Sequence, residues 1–265
     1  MPQKGYTGRR GAADPAHVGR RLALAAALVL VTSLGGGSVR ARSAPPVAPY
    51  PPDRHGYGSL PVATHHQPGT LIARVRPGRK VGLRVSPRGP VVAWLASRTE
   101  FGSPQTLAVT RVLRGRRFAV VSTALPNGHV GWIDARPGTL RLSRTRLTLD
   151  VDLSRRVLRV LLGARVVRST RVGIGAPGTP TPTGRFAVTD KLNGAAFSSV
   201  YGCCILALSA HQTHLPGGWT GGDRIAIHGG STAGAISNGC LHASTAALRY
   251  LMRSVPLGAR VVIHP

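Results

Sequence analysis

Acid is scarce in this chain: eight Asp and Glu stand against 35 Lys and Arg, a formal charge of +27, and Glu100 is the sole glutamate. A glycoside-cleaving site needs two carboxyl groups, one as acid and one as base or nucleophile, and so few acids make that class a poor reading. Lysine is nearly as rare, at Lys4, Lys80 and Lys191, so the charge is carried by arginine. Such a surplus implies an anionic environment. Aromatic residues make up 5% of the chain, the bases are spread over its whole length, and neither a zinc-finger spacing nor an RNA-binding aromatic motif is present. Nucleic acid is therefore not read as the partner, and anionic lipid or an anionic cell wall fits the charge equally well, the wall being the reading carried forward. Cysteine is limited to Cys203, Cys204 and Cys240, an odd number that leaves one thiol to account for.

Long apolar runs are also missing. The longest, Leu22 to Leu34, follows Arg9, Arg10, Arg20 and Arg21 and precedes the small residues Ala41 to Ala44. A basic region, a short apolar core and an Ala-x-Ser exit read as a cleaved signal peptide over residues 1–44, with an uncleaved N-terminal membrane anchor as the alternative. Arg20-Arg21 also fits a twin-arginine signal, a pairing so basic a chain produces by chance. The protein is expected to be exported, to the cell wall or the outer face of the cytoplasmic membrane. Residues 45–69 are rich in Pro, Arg and His with no apolar period and read as an extended linker. His65-His66 falls within it and reads as a solvated pair.

What is present in the remainder is strand pattern. Residues 70–142 hold short alternating runs (TLIARVR, VGLRVSP, TLAVTRVLRG, RRFAVVSTALP, HVGWIDA) between Pro, Gly and Asn turns, which predicts a small all-β barrel. The stretch Phe118 to Ile133, with its Pro126-Asn127-Gly128 turn, resembles bacterial SH3-like domains, and Trp132 reads as core. From about residue 145 a second β unit begins. Leu147, Leu149, Val151 and Leu153 alternate with Thr148, Asp150, Asp152 and Ser154, predicting a strand with one buried face; Val157 to Leu162 and Val166 to Ile174 continue a meander. Ser244 to Ser254 predicts a helix, capped by Ser244 or Thr245 and stopped by Pro256 and Gly258. Val261 to Ile263 reads as a closing strand.

The chemistry is expected in HGGSTAGAISNGCLHAS, residues 228–244. A thiol attacks as thiolate and wants a base beside it. His228 ends a strand-like run (RIAI), Cys240 precedes the helix, and a Gly-rich loop lets the two meet while main-chain N–H groups face a developing oxyanion. Elsewhere, Cys203 and Cys204 lie in an apolar strand-like run, one inward and one outward, with a buried inert thiol as the reading for one of them. His211 and His214 have a spacing that binds metal on a helix, but no helical period surrounds them, and they read as loop lining. Thr181 to Gly184 reads as a rigid turn, and Asp190 and Asp223 as turn or cap residues. No metal site and no cofactor is expected.

These residues resemble the L,D-transpeptidases of the YkuD type. His228-Gly229 and Ser237-Asn238-Gly239-Cys240-Leu241 follow the family's His-Gly … Ser-His-Gly-Cys pattern, LTLDVDLSRRVLRVLLGARVV is similar to its opening hairpin, and GAPGTPTPTGRF to its TPTG-F segment. The chain departs from the pattern at Asn238, where the family has a second His, at His242, where it has Arg or Asn, and in a shorter loop. The resemblance covers residues 145–265 and implies a mainly β fold, an SH3-like barrel followed by an L,D-transpeptidase-type β-sandwich with one short helix. It implies Cys240 as nucleophile and His228 as general base, oriented by the Gly229 carbonyl. The N–H groups of Gly239 and Cys240 are implied as an oxyanion hole, and Tyr201, Ser237, Asn238 and His242 as residues lining the substrate site, with Ser237 holding the turn. The implied activity is 3-3 cross-linking of peptidoglycan stem peptides. Two rival readings remain open: a non-catalytic wall-binding protein, and an L,D-carboxypeptidase or other hydrolase using the same cysteine.

Overall fold

The computed structural model describes residues 69–113 and 116–265; the leader and nearly all of the linker read from the sequence lie outside the described residues. Seven strands form the first unit: β1 Thr70–Val75, β2 Val81–Arg84, β3 Val91–Leu95, β4 Thr106–Leu113, β5 Arg117–Val120, β6 Gly131–Asp134 and β7 Leu140–Thr145. They make one sheet in the order β3-β2-β6-β5-β4-β1-β7, around a core that includes Val75, Leu83, Leu107, Phe118, Val120 and Ile133. Its inward residues alternate along each strand, as a sheet curled over one apolar face requires. β7 pairs with β1 over its full length, up to Thr70↔Thr145, so the first sheet runs on past the boundary at residue 142 read from the sequence. Trp132 is buried as expected.

The second unit holds β8 Leu147–Asp152, β9 Val157–Leu162, β10 Arg165–Arg171, β11 Ile174–Gly175, β12 Gly184–Asn193, β13 Cys204–His211, β14 Arg224–Gly229, β15 Ala235–Ser237, β16 Leu241–Ala243, helix α1 Thr245–Ser254 and β17 Arg260–His264. Eight strands run in the order β10-β9-β8-β17-β12-β13-β14-β16, and β11 pairs with β15 apart from them. Helix α1 is where the pattern placed it. Ser244 caps it by accepting from the Ala247 N–H, and Ala247, Leu248 and Leu251 form its buried stripe, one side of a helix closing over the sheet core. That core includes Leu149, Leu158, Leu206, Leu208, Ile227, Leu241 and Leu251.

Three expectations need correction. Strand β8, between β9 and β17 in the sheet, buries Thr148 and Asp152 as well as apolar residues, so its burial is not confined to one face; Asp152 accepts from Ser154 Oγ and the Arg155 N–H. Asp190 sits inside β12, fully buried, and not in a turn. Cys203 and Cys204 are joined to each other in a disulfide, so neither is an inert thiol and Cys240 is the free cysteine.

The two units share a seam. Ala108, Val121 and Val130 of the first pack with Ala187 of the second in one buried cluster. Thr99 Oγ1 donates to the Asp190 carboxylate, Glu100 pairs with Arg224 at 2.5 Å, and the rings of Phe101 and Phe197 meet edge to face at 6.2 Å. No helix among the described residues is long and apolar enough to cross a membrane.

Candidate active site

Strands β14 and β16 run parallel side by side, with Ile227 opposite Leu241, His228 opposite His242 and Gly229 opposite Ala243. Side chains alternate along a strand, so Ile227 and Leu241, both fully buried, point into the core while His228 and His242 share the other face. Their ring centroids are 4.7 Å apart. Cys240 precedes β16 by one residue and His242 by two, which places it on that same face.

His228 is held tightly. Its Nδ1 is 2.8 Å from the Gly229 carbonyl oxygen. A carbonyl only accepts, so Nδ1 carries the proton and the Nε2 lone pair is left for other work. Tyr201 stands edge-on to the imidazole at 4.9 Å. The close approach of the Tyr201-Gly202 turn requires glycine at 229, where a Cβ would lie 2.9 Å from the Tyr201 carbonyl oxygen. Burial drives the His228 pKa down to about 4; the Gly229 hydrogen bond acts against this, and the neighbouring His242 adds to it. The imidazole is therefore neutral at physiological pH.

Cys240 is partly buried, and its thiol donates a long hydrogen bond, 4.0 Å, to the Arg224 carbonyl. Burial raises its pKa, with a hydrogen bond to the Ala226 main chain acting against the rise. Among the described residues no hydrogen bond joins the Cys240 sulfur to the His228 ring. At rest Cys240 is thus a thiol and His228 a neutral imidazole. Tyr201 feels both: burial raises its phenol pKa, and proximity to Cys240 raises it further.

The loop ahead of Cys240 is tied from inside. Ser237, buried, donates through Oγ to the Cys240 carbonyl at 2.6 Å and accepts the Gly239 N–H at 3.2 Å, two bonds that close the turn into Cys240. The Gly239 N–H is engaged by that hydroxyl, leaving the Cys240 N–H as the candidate oxyanion donor. The Ser237 carbonyl accepts from Thr179 Oγ1 at 2.9 Å and from the Ala176 N–H at 2.8 Å. The Ala176-to-Thr179 stretch ahead of the TPTG turn is thereby fastened to the cysteine loop. Asn238 is exposed, and its carbonyl accepts from Gln212 Nε2 at 3.1 Å.

His242 is bound through its main chain to Gly173 in both directions at 2.9 Å. Its ring lies against Gly230, where a Cβ would fall 2.6 Å from Nδ1, and Nδ1 is buried without a partner among the described residues. Burial lowers its pKa, opposed by a hydrogen bond to the Ser231 main chain. Both ring nitrogens of His211 are engaged: Nδ1 meets Asp223 at 2.8 Å and Nε2 the Thr123 carbonyl at 2.9 Å.

Sequence reasoning did not single out Gln212, Thr179 or Arg224. A lone Gln in a polar loop carries no period and no motif, and its burial follows from three segments closing over it.

Residues 146–263 match the family model of the L,D-transpeptidase catalytic domain, YkuD. No curated protein matches the chain. Among solved structures, a Bdellovibrio bacteriovorus protein is 18% identical over 45% of this chain and 48% of its own, with a TM-score of 0.37. An L,D-transpeptidase from Xylanimonas cellulosilytica is 27% identical over 46% of this chain and 62% of its own, with a TM-score of 0.33. One from Mycobacterium smegmatis is 15% identical over 74% of this chain and 82% of its own, with a TM-score of 0.36. The chain thus spans about half of the length of the first and less than two thirds of the second.

Proposed function

Taking residues 146–263 as an L,D-transpeptidase catalytic domain, we propose that the protein is an exported cysteine transpeptidase that joins peptidoglycan stem peptides by 3-3 links through an acyl-enzyme on Cys240. The observation that carries the reading is the His228 tautomer: with Nδ1–H spent on the Gly229 carbonyl, the Nε2 lone pair is available on the face that Cys240 shares.

The depressed His228 pKa and the raised Cys240 pKa favour base-assisted attack over a preformed thiolate–imidazolium pair. As the sulfur attacks the carbonyl of the third stem residue, the S–H proton passes to His228 Nε2. The Cys240 N–H faces the oxyanion. Collapse breaks the peptide bond, and the proton on Nε2 leaves with the D-Ala amine, giving a thioester on Cys240. A side-chain amine of a second stem attacks the thioester, loses its proton to Nε2, and forms the new amide as the thiolate departs and is reprotonated. The thiol has to turn from the Arg224 carbonyl toward Nε2 for the first step.

The wall as location is supported by the leader-like N-terminus and by the surplus of positive charge, which concentrates the protein on an anionic polymer. An SH3-like first unit is proposed on its strand pattern and turn spacing. The test is incubation of purified protein with a disaccharide-tetrapeptide, read by mass spectrometry. A 3-3 dimer absent with Cys240→Ala supports the reading. Tripeptide alone points to the hydrolase, and unchanged tetrapeptide to the wall binder.

A further inference from the structure

Gln212 follows the last residue of β13, and its side chain is buried. Nε2 lies 3.1 Å from each of three carbonyl oxygens, those of Thr179, Pro180 and Asn238. Oε1 accepts the His214 N–H at 3.0 Å, and the Gln212 N–H donates to the Asp223 carbonyl at 2.6 Å. Carbonyls only accept, so the amide can face one way: two hydrogens shared among three oxygens, with the oxygen turned outward. The amide also touches the nucleophile's neighbour. Gly239 has φ +102°, and a Cβ there would lie 2.1 Å from Gln212 Nε2. One side chain therefore fixes both the Thr179-Pro180 step that leads into the TPTG turn and the Asn238-Gly239 step into Cys240.

The residue before it is gripped from the other unit. Past Leu208, strand β12 no longer pairs with β13, and the main chain of His211 is left open on that side. Asn127, on the Pro126-Asn127-Gly128 turn of the first unit, fills the place of a strand. Its Oδ1 accepts the His211 N–H at 2.9 Å and its Nδ2 donates to the His211 carbonyl at 2.6 Å. The His211 ring then spans from the Thr123 carbonyl of the first unit to Asp223, whose own carbonyl holds the Gln212 N–H.

We propose that the first β unit is part of the catalytic scaffold: Asn127 holds His211 and with it Gln212, the positioning residue that sets the loop carrying Cys240. The inference rests on Cys240 being the nucleophile. It assigns the first unit a task at the reacting centre, independent of anything that unit binds.

The test uses the full chain with Gln212→Glu and Asn127→Ala. Gln212→Glu keeps the shape but turns carboxylate oxygens toward three carbonyls; Asn127→Ala removes the grip on His211 without touching the second unit. Two readouts are taken: kcat and KM with the tetrapeptide donor, and the rate of Cys240 alkylation by iodoacetamide across about pH 6 to about pH 9. Gln212→Glu is expected to lower kcat at least about tenfold with KM changed less than about threefold, since a misplaced reacting group costs rate more than binding. Asn127→Ala is expected to lower kcat by about threefold or more in the same manner. Both are expected to shift the alkylation profile. Folded variants whose kcat and alkylation profile stay within about twofold of the parent, or whose change is confined to KM, overturn the proposal. If the parent shows no turnover, the transpeptidase reading fails by itself, and the alkylation profile alone decides this one: a shift supports it, an unchanged profile overturns it. If Gln212→Glu does not fold, Asn127→Ala decides.

Discussion

His228 and His242 face each other across the parallel β14–β16 pair, with ring centroids 4.7 Å apart and planes tilted by 53°. Two imidazoles so close cannot both take a proton without mutual repulsion, and His242 is one of the causes that lower the His228 pKa. The residue at 242 thereby tunes the base.

His242→Asn is expected to raise the His228 pKa from its value of about 4, because it removes a neighbouring positive charge at low pH. The acidic limb of the pH–rate profile for Cys240 acylation should move to higher pH. NMR titration of the His228 ring provides the direct check, and a limb that moves to lower pH contradicts the assignment.

Stability should fall on acidification for the same reason. His228 titrates near 6.5 when unfolded and at about 4 in the fold, so between those values the unfolded chain holds a proton that the native state lacks. This contribution is fully present above pH 6.5 and is lost progressively toward pH 4. It amounts to about 2 kcal/mol between about pH 7 and about pH 5. Urea unfolding at the two pH values is expected to show that difference shrink in His228→Asn.

At the seam between the units, burial separates two neighbouring contacts. Thr99 donates to Asp190, which is fully buried, whereas Glu100 is largely exposed in its pair with Arg224. Thr99→Val withdraws a donor from a buried carboxylate and is expected to cost about 1–3 kcal/mol. Glu100→Ala is expected to cost less than about 1 kcal/mol. Chemical denaturation that ranks them in the opposite order contradicts this account of the seam.

Gly239→Ala is expected to be the most damaging single-methyl change in the cysteine loop. The added carbon would meet Gln212 Nε2 at 2.1 Å in a left-handed backbone conformation, a combination of steric overlap and strain of about 1–3 kcal/mol. Acylation of Cys240 should fall at least about tenfold. A fully active Gly239→Ala protein contradicts the loop geometry.

Much of this was legible in the residues. Alternation announced the strands of both units, and the Ser244 cap and Pro256 stop bounded the helix. The His228-Gly229 and Ser237-to-Cys240 spacing pointed to the candidate site. What the sequence hid was tertiary. Asp190 read as a turn residue because an isolated acid gives no sign of the Thr99 hydroxyl that a distant strand connection supplies. Cys203 and Cys204 read as separate thiols because alternation assigns them to opposite faces, which a bond between neighbours overrides. Gln212 could not be found at all, since its three acceptors belong to segments 33, 32 and 26 residues away.

The central claim is that the sulfur of Cys240 carries the donor peptide. Acid quenching during turnover with the tetrapeptide, followed by peptide mapping, tests it most directly. The account predicts a tripeptide thioester on the fragment containing Cys240, formed as D-Ala is released and lost on addition of acceptor amine. Dimer formed with no adduct on Cys240, or an adduct located on Cys203 or Cys204, contradicts it.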